Sequence, residues 1–194
     1  MPSMHDSITA DILNQAHEEL IARLGYIQVQ PKRVLLLGEF SAGEVQKIAK
    51  IYRKAQIYQA LTLTDLPTQD LAKRSFEVIL GAEIHPEKAI FEEIFQGFAQ
   101  LLNSDGMLLF TILGPDWDKN NDKNYPDMHD IGDLLLQLGF ENPVVDSEFG
   151  LTFGHAWGPK LPKQIQEKNP DGSLKAIRVS LDQLIASLKK PFQR

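Results

Sequence analysis

The segment at residues 33–44, RVLLLGEFSAGE, constrains the fold more than any other part of the sequence. Its apolar run from Val34 to Leu37 predicts a short buried strand that ends at Gly38, and residues 43–52 predict a helix. In α/β domains, a strand, a glycine-bearing turn and a helix form a ligand crevice at the carboxyl end of the first strand. The segment therefore predicts a cofactor crevice in which Gly38 is the glycine of the tight turn.

The chain of 194 residues predicts a single domain, with an N-terminal helix in residues 1–30, a core in 31–157, and a loop and helix in 158–194. The formal charge of −6 argues against a nucleic-acid partner. The absence of cysteine excludes disulfides and thiolate catalysis, and it fits a cytoplasmic location. The N-terminus lacks a signal-peptide pattern, and no run approaches the roughly 18 apolar residues of a membrane span, so we expect no membrane partner.

The order of predicted elements indicates an α/β fold. A helix at residues 7–25 precedes the opening strand, and alternating strands and helices follow it. Residues 103–106, NSDG, predict a turn before a buried strand at 107–113. The predicted strands lie at 56–63, 75–80, 107–113 and 143–157, and the later helices at 86–102, 130–138 and 181–189. This order predicts a mostly parallel sheet with antiparallel final strands, flanked by helices on both faces.

Several segments together resemble class I S-adenosylmethionine-dependent methyltransferases. They are QPKRVLLLG, IAKIYRKAQ, SFEVIL, NSDGMLLFTILGPD and DMHDIGDLLLQLGF. The nearest branch is that of biotin synthesis (BioC), which methylates the free carboxyl of a malonyl thioester on acyl carrier protein. LTFGHAWGP and VSLDQL also resemble that branch, and the similarity runs from about residue 10 to about residue 185. The resemblance implies a Rossmann-like methyltransferase sheet and S-adenosylmethionine as cofactor.

The cofactor turn departs from the family pattern. The pattern VLDLGCGTG falls on residues 34–42, VLLLGEFSA, so that Leu36 replaces the acidic residue and Phe40 and Ala42 replace two glycines. Gly38 is kept, and Ser41 replaces a similar hydroxyl residue. Residues with a Cβ resist the backbone geometry that glycine permits. Either the turn has changed shape, or the ring of Phe40 fills the volume that the methionine portion of the cofactor needs.

The end of the second predicted strand also departs from the family pattern. The acidic residue that binds the ribose hydroxyls in the family falls on Leu61. The chain then passes directly to TDLP and SFEVIL, which predicts a fold missing about one helix-strand unit. Asp65 is the candidate substitute for the ribose-binding acid. The resemblance thus implies cofactor binding by Gly38, Ser41 and Asp65. No catalytic residue is assigned, since a carboxylate nucleophile needs no general base and methyl transfer depends chiefly on positioning.

These departures leave more than one function open. The first hypothesis is a BioC-like methyltransferase that acts on malonyl-acyl carrier protein. The alternative is a non-catalytic pseudo-methyltransferase that binds or regulates a partner protein, either an acyl carrier protein or an active methyltransferase. A third is a binder of a different small ligand in a remodelled crevice.

We expect no metal site in the acidic loop or at the histidines. Residues 116–127 carry oxygen-bearing side chains at calcium-loop spacing, but Asn121 and Asp127 stand where glycine and glutamate are expected, which favours a solvated loop. His129 and His155 lack a second ligand at metal spacing. His17 is predicted to be a surface or boundary histidine of the first helix.

Overall fold

A computed structural model describes residues 4–66, 75–84, 88–114, 126–148, 150–160, 167–168 and 174–175. The chain divides into two compact units, residues 1–160 and 161–194. The elements of the first unit, in chain order, are α1 (Met4–Leu24), β1 (Arg33–Leu37), α2 (Ala42–Ile51), β2 (Gln56–Ala60), a 3-10 helix (Leu63–Asp65), β3 (Phe76–Ile84), α3 (Lys88–Leu101), β4 (Leu102–Leu113), α4 (Met128–Gln137), β5 (Glu141–Glu148) and β6 (Leu151–Trp157).

The described strands of this unit form a six-stranded sheet in the order β2-β1-β3-β4-β6-β5. β1, β2, β3 and β4 run parallel, and β6 pairs antiparallel with both β4 and β5. The order reverses beside β1, since the chain moves to β2 on one side and then to β3 on the other. A ligand crevice is expected at that reversal, outside the carboxyl ends of the strands. The predicted α/β sheet with antiparallel final strands is confirmed.

Successive side chains of the central strands point to opposite faces, and both faces are buried. On one face, Leu35 and Leu37 of β1 pack with the phenylalanines of α3, including Phe95 and Phe98. On the other face, Val34 and Leu36 pack with residues of α1 and α2. Leu36 therefore lies in the apolar core, where the family pattern has an acidic residue. This two-sided burial explains why the strand reads as a continuous apolar run.

The turn predicted at residues 103–106 does not precede the strand as expected, because β4 already begins at Leu102. The pairing with β3 passes from Phe76–Leu102 to Val78–Met107, so the β4 strand bulges between these pairs. Asn103 Oδ1 accepts a hydrogen bond from the backbone N–H of Asp105 at 3.1 Å. The NSDG sequence thus forms its local turn within an irregular strand.

Among the described strands of the first unit, β2 is an edge strand of the sheet. Between β2 and β3, the described residues contain only the 3-10 helix as regular structure, and residues 67–74 lie outside the described part. The strand predicted at 56–63 is shorter than expected and ends at Ala60.

The second unit is described only at two short strands. These are β7 (Glu167–Lys168) and β8 (Leu174–Lys175), which pair antiparallel. The helix predicted at 181–189 lies outside the described residues, as does most of the loop at 116–127. The division into 1–30, 31–157 and 158–194 stays a prediction.

Candidate functional site

The turn after β1 requires a glycine at its first position. Gly38 has a φ of +116°, a conformation that side chains with a Cβ rarely adopt. Its N–H donates to the carbonyl of Ala60 at 2.9 Å, which ties the turn to the end of β2. A Cβ at this position would lie 2.8 Å from the carbonyl oxygen of Ala82 at the end of β3. Gly38 therefore lets three strands converge at the crevice.

Ser41 begins the helix that follows the turn. Its side chain accepts a hydrogen bond from the Glu44 N–H at 3.3 Å, and the Glu44 carboxylate accepts from the Ser41 N–H at 2.7 Å. These reciprocal bonds form a capping box. The Ser41 hydroxyl also donates to Glu44 Oε2 at 2.7 Å. Glu44 is thus fixed at the N-terminus of α2, where the helix dipole favours negative charge.

Phe40 lies in the core and leaves the crevice open. Its side chain is 6% exposed and packs in the cluster between the sheet and the α1 and α2 helices. Its carbonyl oxygen accepts from Gln59 Nε2 at 2.8 Å, so the turn is anchored to β2 a second time. The ring also forms part of the wall of the crevice, which remains open beside it.

A pocket of about 510 Å³ opens at the carboxyl ends of β1, β2 and β3. Its walls come from α1, the turn after β1, the end of β2 and the end of β3. They include His17, Phe40, Ser41, Leu61 and Glu83. The position matches the crevice that the first strand predicts, and the volume lies within the range of about 300–1,000 Å³ that is typical of small-molecule sites.

The prediction for His17 is wrong, because its imidazole is buried in the floor of this pocket with 4% exposure. Its ring stacks on Phe40 at a centroid distance of 5.1 Å. Nδ1 lies 2.9 Å from Glu44 Oε1, within hydrogen-bond distance. Nε2 lies 3.1 Å from Glu83 Oε1 in an ion-pair contact whose alignment falls short of a hydrogen bond. His17 thereby connects α1, the start of α2 and the end of β3.

The two carboxylates favour the protonated imidazole. Burial lowers the pKa of His17, but the contacts with Glu83 and Glu44 outweigh burial and raise that pKa above its ordinary value of 6.5. Burial acts to raise the pKa of Glu44, but hydrogen bonds from Ser41 and the charge of His17 hold that pKa below 4.5. These contacts therefore favour the charged form of His17 and the ionised form of Glu44.

The structure brings the predicted site residues together only in part. Ser41 lines the pocket, and Gly38 forms the turn on which it stands. Asp65 is not among the lining residues. Its carboxylate accepts from the N–H and the hydroxyl of Thr62, both at 2.8 Å, and so caps its own 3-10 helix.

Sequence reasoning missed His17, Glu44 and Glu83. One signal was present for His17, because it lies three residues before Leu20 and seven before Leu24 and so shares the buried face of α1. Glu83 carried no local signal. It lies at the end of β3 with a φ of +54°, and its N–H donates to Thr111 Oγ1 at 2.8 Å.

A second pocket of about 600 Å³ lies near the C-terminal end of α1 and is lined by residues that include Tyr26, Met107, His155 and Trp157. It is away from the carboxyl ends of the parallel strands, where α/β folds bind ligands. Arg23, which lines this pocket, already forms ion pairs with Glu19 and Asp146. Burial and then the charge of Arg23 lower the pKa of His155. The first pocket is therefore the candidate site.

Two absences concern only the described residues. None of the helices there combines the length and the apolar content that crossing a lipid bilayer requires. No group of three or more potential metal-ligating side chains is found in the same ranges.

The Asp127 carboxylate accepts from the N–H groups of His129 and Asp130, and so caps α4.

Comparison with solved structures defines the class of fold. Phosphoethanolamine N-methyltransferase 2 from Haemonchus contortus, in complex with S-adenosyl-L-methionine, aligns with a TM-score of 0.57 and 11% identity, over 75% of this chain and 53% of that chain. The fold is the Rossmann-like methyltransferase fold, as the resemblance predicts. No protein-family profile matches the chain.

Curated relatives narrow the similarity to one branch. Malonyl-[acyl-carrier protein] O-methyltransferase from Legionella pneumophila is 27% identical over 172 residues, covering 72% of this chain and 61% of the relative. Malonyl-[acyl-carrier protein] O-methyltransferase 1 from Coxiella burnetii is 25% identical over 173 residues, covering 77% of this chain and 61% of the relative. The chain therefore spans about three fifths of the length of these relatives. The predicted resemblance to the BioC branch is confirmed.

Proposed function

We propose that this chain is a BioC-like methyltransferase. It binds S-adenosylmethionine in the crevice at the ends of β1, β2 and β3 and methylates the free carboxyl of a malonyl group on acyl carrier protein. The names of the curated relatives support the substrate. The observation that carries the proposal is the pocket of about 510 Å³ at the fold's expected ligand position, which stays open despite Phe40.

The pocket suits this cofactor in size and in charge. S-adenosylmethionine carries a sulfonium, an ammonium and a carboxylate, and so has a net positive charge. The side chains of Glu39, Glu44 and Glu83 line the pocket, together with the imidazole of His17. A surplus of carboxylates favours a cationic ligand. The residues present therefore fit the cofactor, although the turn has lost two of the family's glycines.

Different parts of the wall would hold different parts of the cofactor. We assign the amino-acid and sulfonium end to the turn from Gly38 to Ser41 and to Glu83. We assign the nucleoside to the end of β2, at Gln59 and Leu61. Asp65 is not among the lining residues, and a ribose contact from it requires its carboxylate to leave Thr62. The missing acid at Leu61 thus predicts weaker nucleoside binding than in the family.

The bound cofactor supplies an electrophilic methyl group. The chain contributes position, because in-line displacement needs the acceptor oxygen and the methyl carbon held in one orientation. A malonyl carboxylate is already ionised at neutral pH, so that no residue of the chain has to remove a proton. A role in biotin synthesis, an acyl carrier protein as partner and a cytoplasmic location belong to this same proposal.

The decisive experiment combines transfer with binding. The purified chain is incubated with methyl-labelled S-adenosylmethionine and malonyl-acyl carrier protein, and acetyl-acyl carrier protein serves as the control without a free carboxyl. We expect label only in the malonyl ester. Cofactor binding in calorimetry without transfer to any acceptor would support the non-catalytic alternative. Absence of both binding and transfer would overturn the proposal.

A charge-restoring variant tests where the nucleoside lies. Leu61 is exposed at the pocket wall, so Leu61→Asp supplies the family's missing acid at small structural cost. We expect S-adenosylmethionine to bind about tenfold more tightly, since a hydrogen bond to a charged group contributes roughly 1.5–3 kcal/mol. Leu136→Asp on the exposed surface of α4 is the matched control and should leave the affinity unchanged. Equal effects of the two variants would refute the assignment.

A further inference from the structure

We propose that Glu83 distinguishes S-adenosylmethionine from S-adenosylhomocysteine by charge, and that His17 is the positioning residue for the Glu83 carboxylate. This inference rests on the function proposed above and extends it to the discrimination of donor from product.

The backbone of Glu83 is held in place at the mouth of the crevice. It follows Ala82, whose carbonyl oxygen packs against Gly38, and its own N–H is bound to the buried hydroxyl of Thr111. Its side chain retains 25% exposure and lines the pocket. A carboxylate on a fixed backbone, partly shielded from water, interacts more strongly with a nearby ligand charge than a fully solvated carboxylate does.

Glu44 has a different role, because its carboxylate is turned inward. One oxygen faces His17 Nδ1, and the other accepts from the N–H and the hydroxyl of Ser41. Glu44 therefore anchors the His17 ring from the α2 side. The opposite ring nitrogen faces Glu83 Oε1 at 3.1 Å. The His17 ring also stacks on Phe40, so its orientation is fixed. A fixed ring can hold the Glu83 carboxylate in one position.

The charge of the ligand changes in the reaction. Transfer of the methyl group to a carboxylate forms an ester, and the electron pair of the broken bond stays on sulfur, so that the sulfonium becomes a neutral thioether. The product S-adenosylhomocysteine therefore carries one positive charge fewer than the donor. A carboxylate beside the sulfur position favours the donor and promotes release of the product.

The test measures the dissociation constants of both ligands by calorimetry at pH 7 for the wild type, Glu83→Gln and Glu93→Gln. Glu93 is exposed on α3, on the opposite face of the sheet, and gives the same change in charge. We expect Glu83→Gln to reduce the preference for S-adenosylmethionine over S-adenosylhomocysteine about tenfold, mostly through weaker donor binding. Glu93→Gln should keep the wild-type ratio.

The ratio of affinities separates positioning from a general structural role. Loss of positioning in His17→Gln should lower the donor preference, whereas a role of His17 as a positive charge alone would raise that preference on removal. Mere loosening of the pocket would weaken both ligands equally. Glu83→Asp, which keeps the charge but withdraws it by one methylene, should give an intermediate ratio. An unchanged ratio in Glu83→Gln would overturn this inference alone. A wild type that binds neither ligand would overturn the proposed function as well.

Discussion

The substitution of Gly38 by alanine gives a prediction whose size can be worked out from the structure. The new methyl group would lie 2.8 Å from the Ala82 carbonyl oxygen and 3.2 Å from the Ala82 Cβ. Neither atom can move freely, because β1 and β3 are paired up to Leu37 and Gly81. The positive φ adds backbone strain of roughly 1–2 kcal/mol, and overpacking adds roughly 1–3 kcal/mol.

We therefore expect Gly38→Ala to lower the free energy of unfolding by about 3 kcal/mol, which corresponds to a fall in Tm of about 6–12 °C for a chain of this size. Gly43→Ala is the matched control, because Gly43 lies within α2 and an added Cβ would meet nothing closer than 3.9 Å. It should raise stability by about 0.5–1 kcal/mol, since alanine is the better helix former.

Urea denaturation followed by circular dichroism measures both variants against the wild type. Opposite signs for the same substitution, five residues apart, are the expected result. A Gly38→Ala protein as stable as the wild type would refute the argument that the strands converge too closely for a Cβ. An equal loss of stability in Gly43→Ala and Gly38→Ala would refute the claim that the strain is specific to the turn.

Two further predictions concern buried titratable groups. His17→Gln should lower the free energy of unfolding by about 2 kcal/mol near pH 6. This is less than the usual loss of about 3–5 kcal/mol for a broken buried ion pair, because Glu83 is partly exposed and Glu44 keeps its hydrogen bond from Ser41. The pKa of His17 is raised on folding, so its stabilisation is complete below pH 6.5 and is lost as the pH rises through the folded-state pKa. The difference in unfolding free energy between variant and wild type, measured by urea denaturation, should therefore decrease as the pH rises. An increase in this difference would contradict the assignment. Burial raises the pKa of Tyr52 to about 12, and its hydroxyl has no hydrogen-bond partner among the described residues. Tyr52→Phe should raise stability by about 1 kcal/mol and remove a tyrosine ionisation near pH 12 from an ultraviolet pH titration. A destabilised variant would show that the hydroxyl is satisfied.

The sheet could be predicted because its signals are local. The apolar runs of β1 and β4 follow from burial on both faces, and the glycine after β1 follows from the positive φ of its turn. The bulge at residues 103–106 was predicted as a turn, because an Asx turn has the same residues whether or not strand pairing continues on either side.

The ion-paired group at the site could not be predicted in the same way. His17, Glu44 and Glu83 come from three elements far apart in the sequence, and only the packing of α1 on the sheet brings them together. The burial of the Phe40 ring also depends on its packing with residues of α1 and α2, which no local sequence pattern describes. The same lack of tertiary information led us to propose Asp65, whose carboxylate is engaged locally with Thr62.

The central claim is that the crevice at the ends of β1, β2 and β3 binds S-adenosylmethionine. Titration of the ¹⁵N-labelled chain with this ligand, followed by amide chemical shifts, tests the claim directly. We predict saturable shifts that are largest at Gly38, Ser41 and Glu83 and small at Met107 and Trp157, which line the other pocket. Shifts centred on Met107 and Trp157, or none at millimolar ligand, would contradict it.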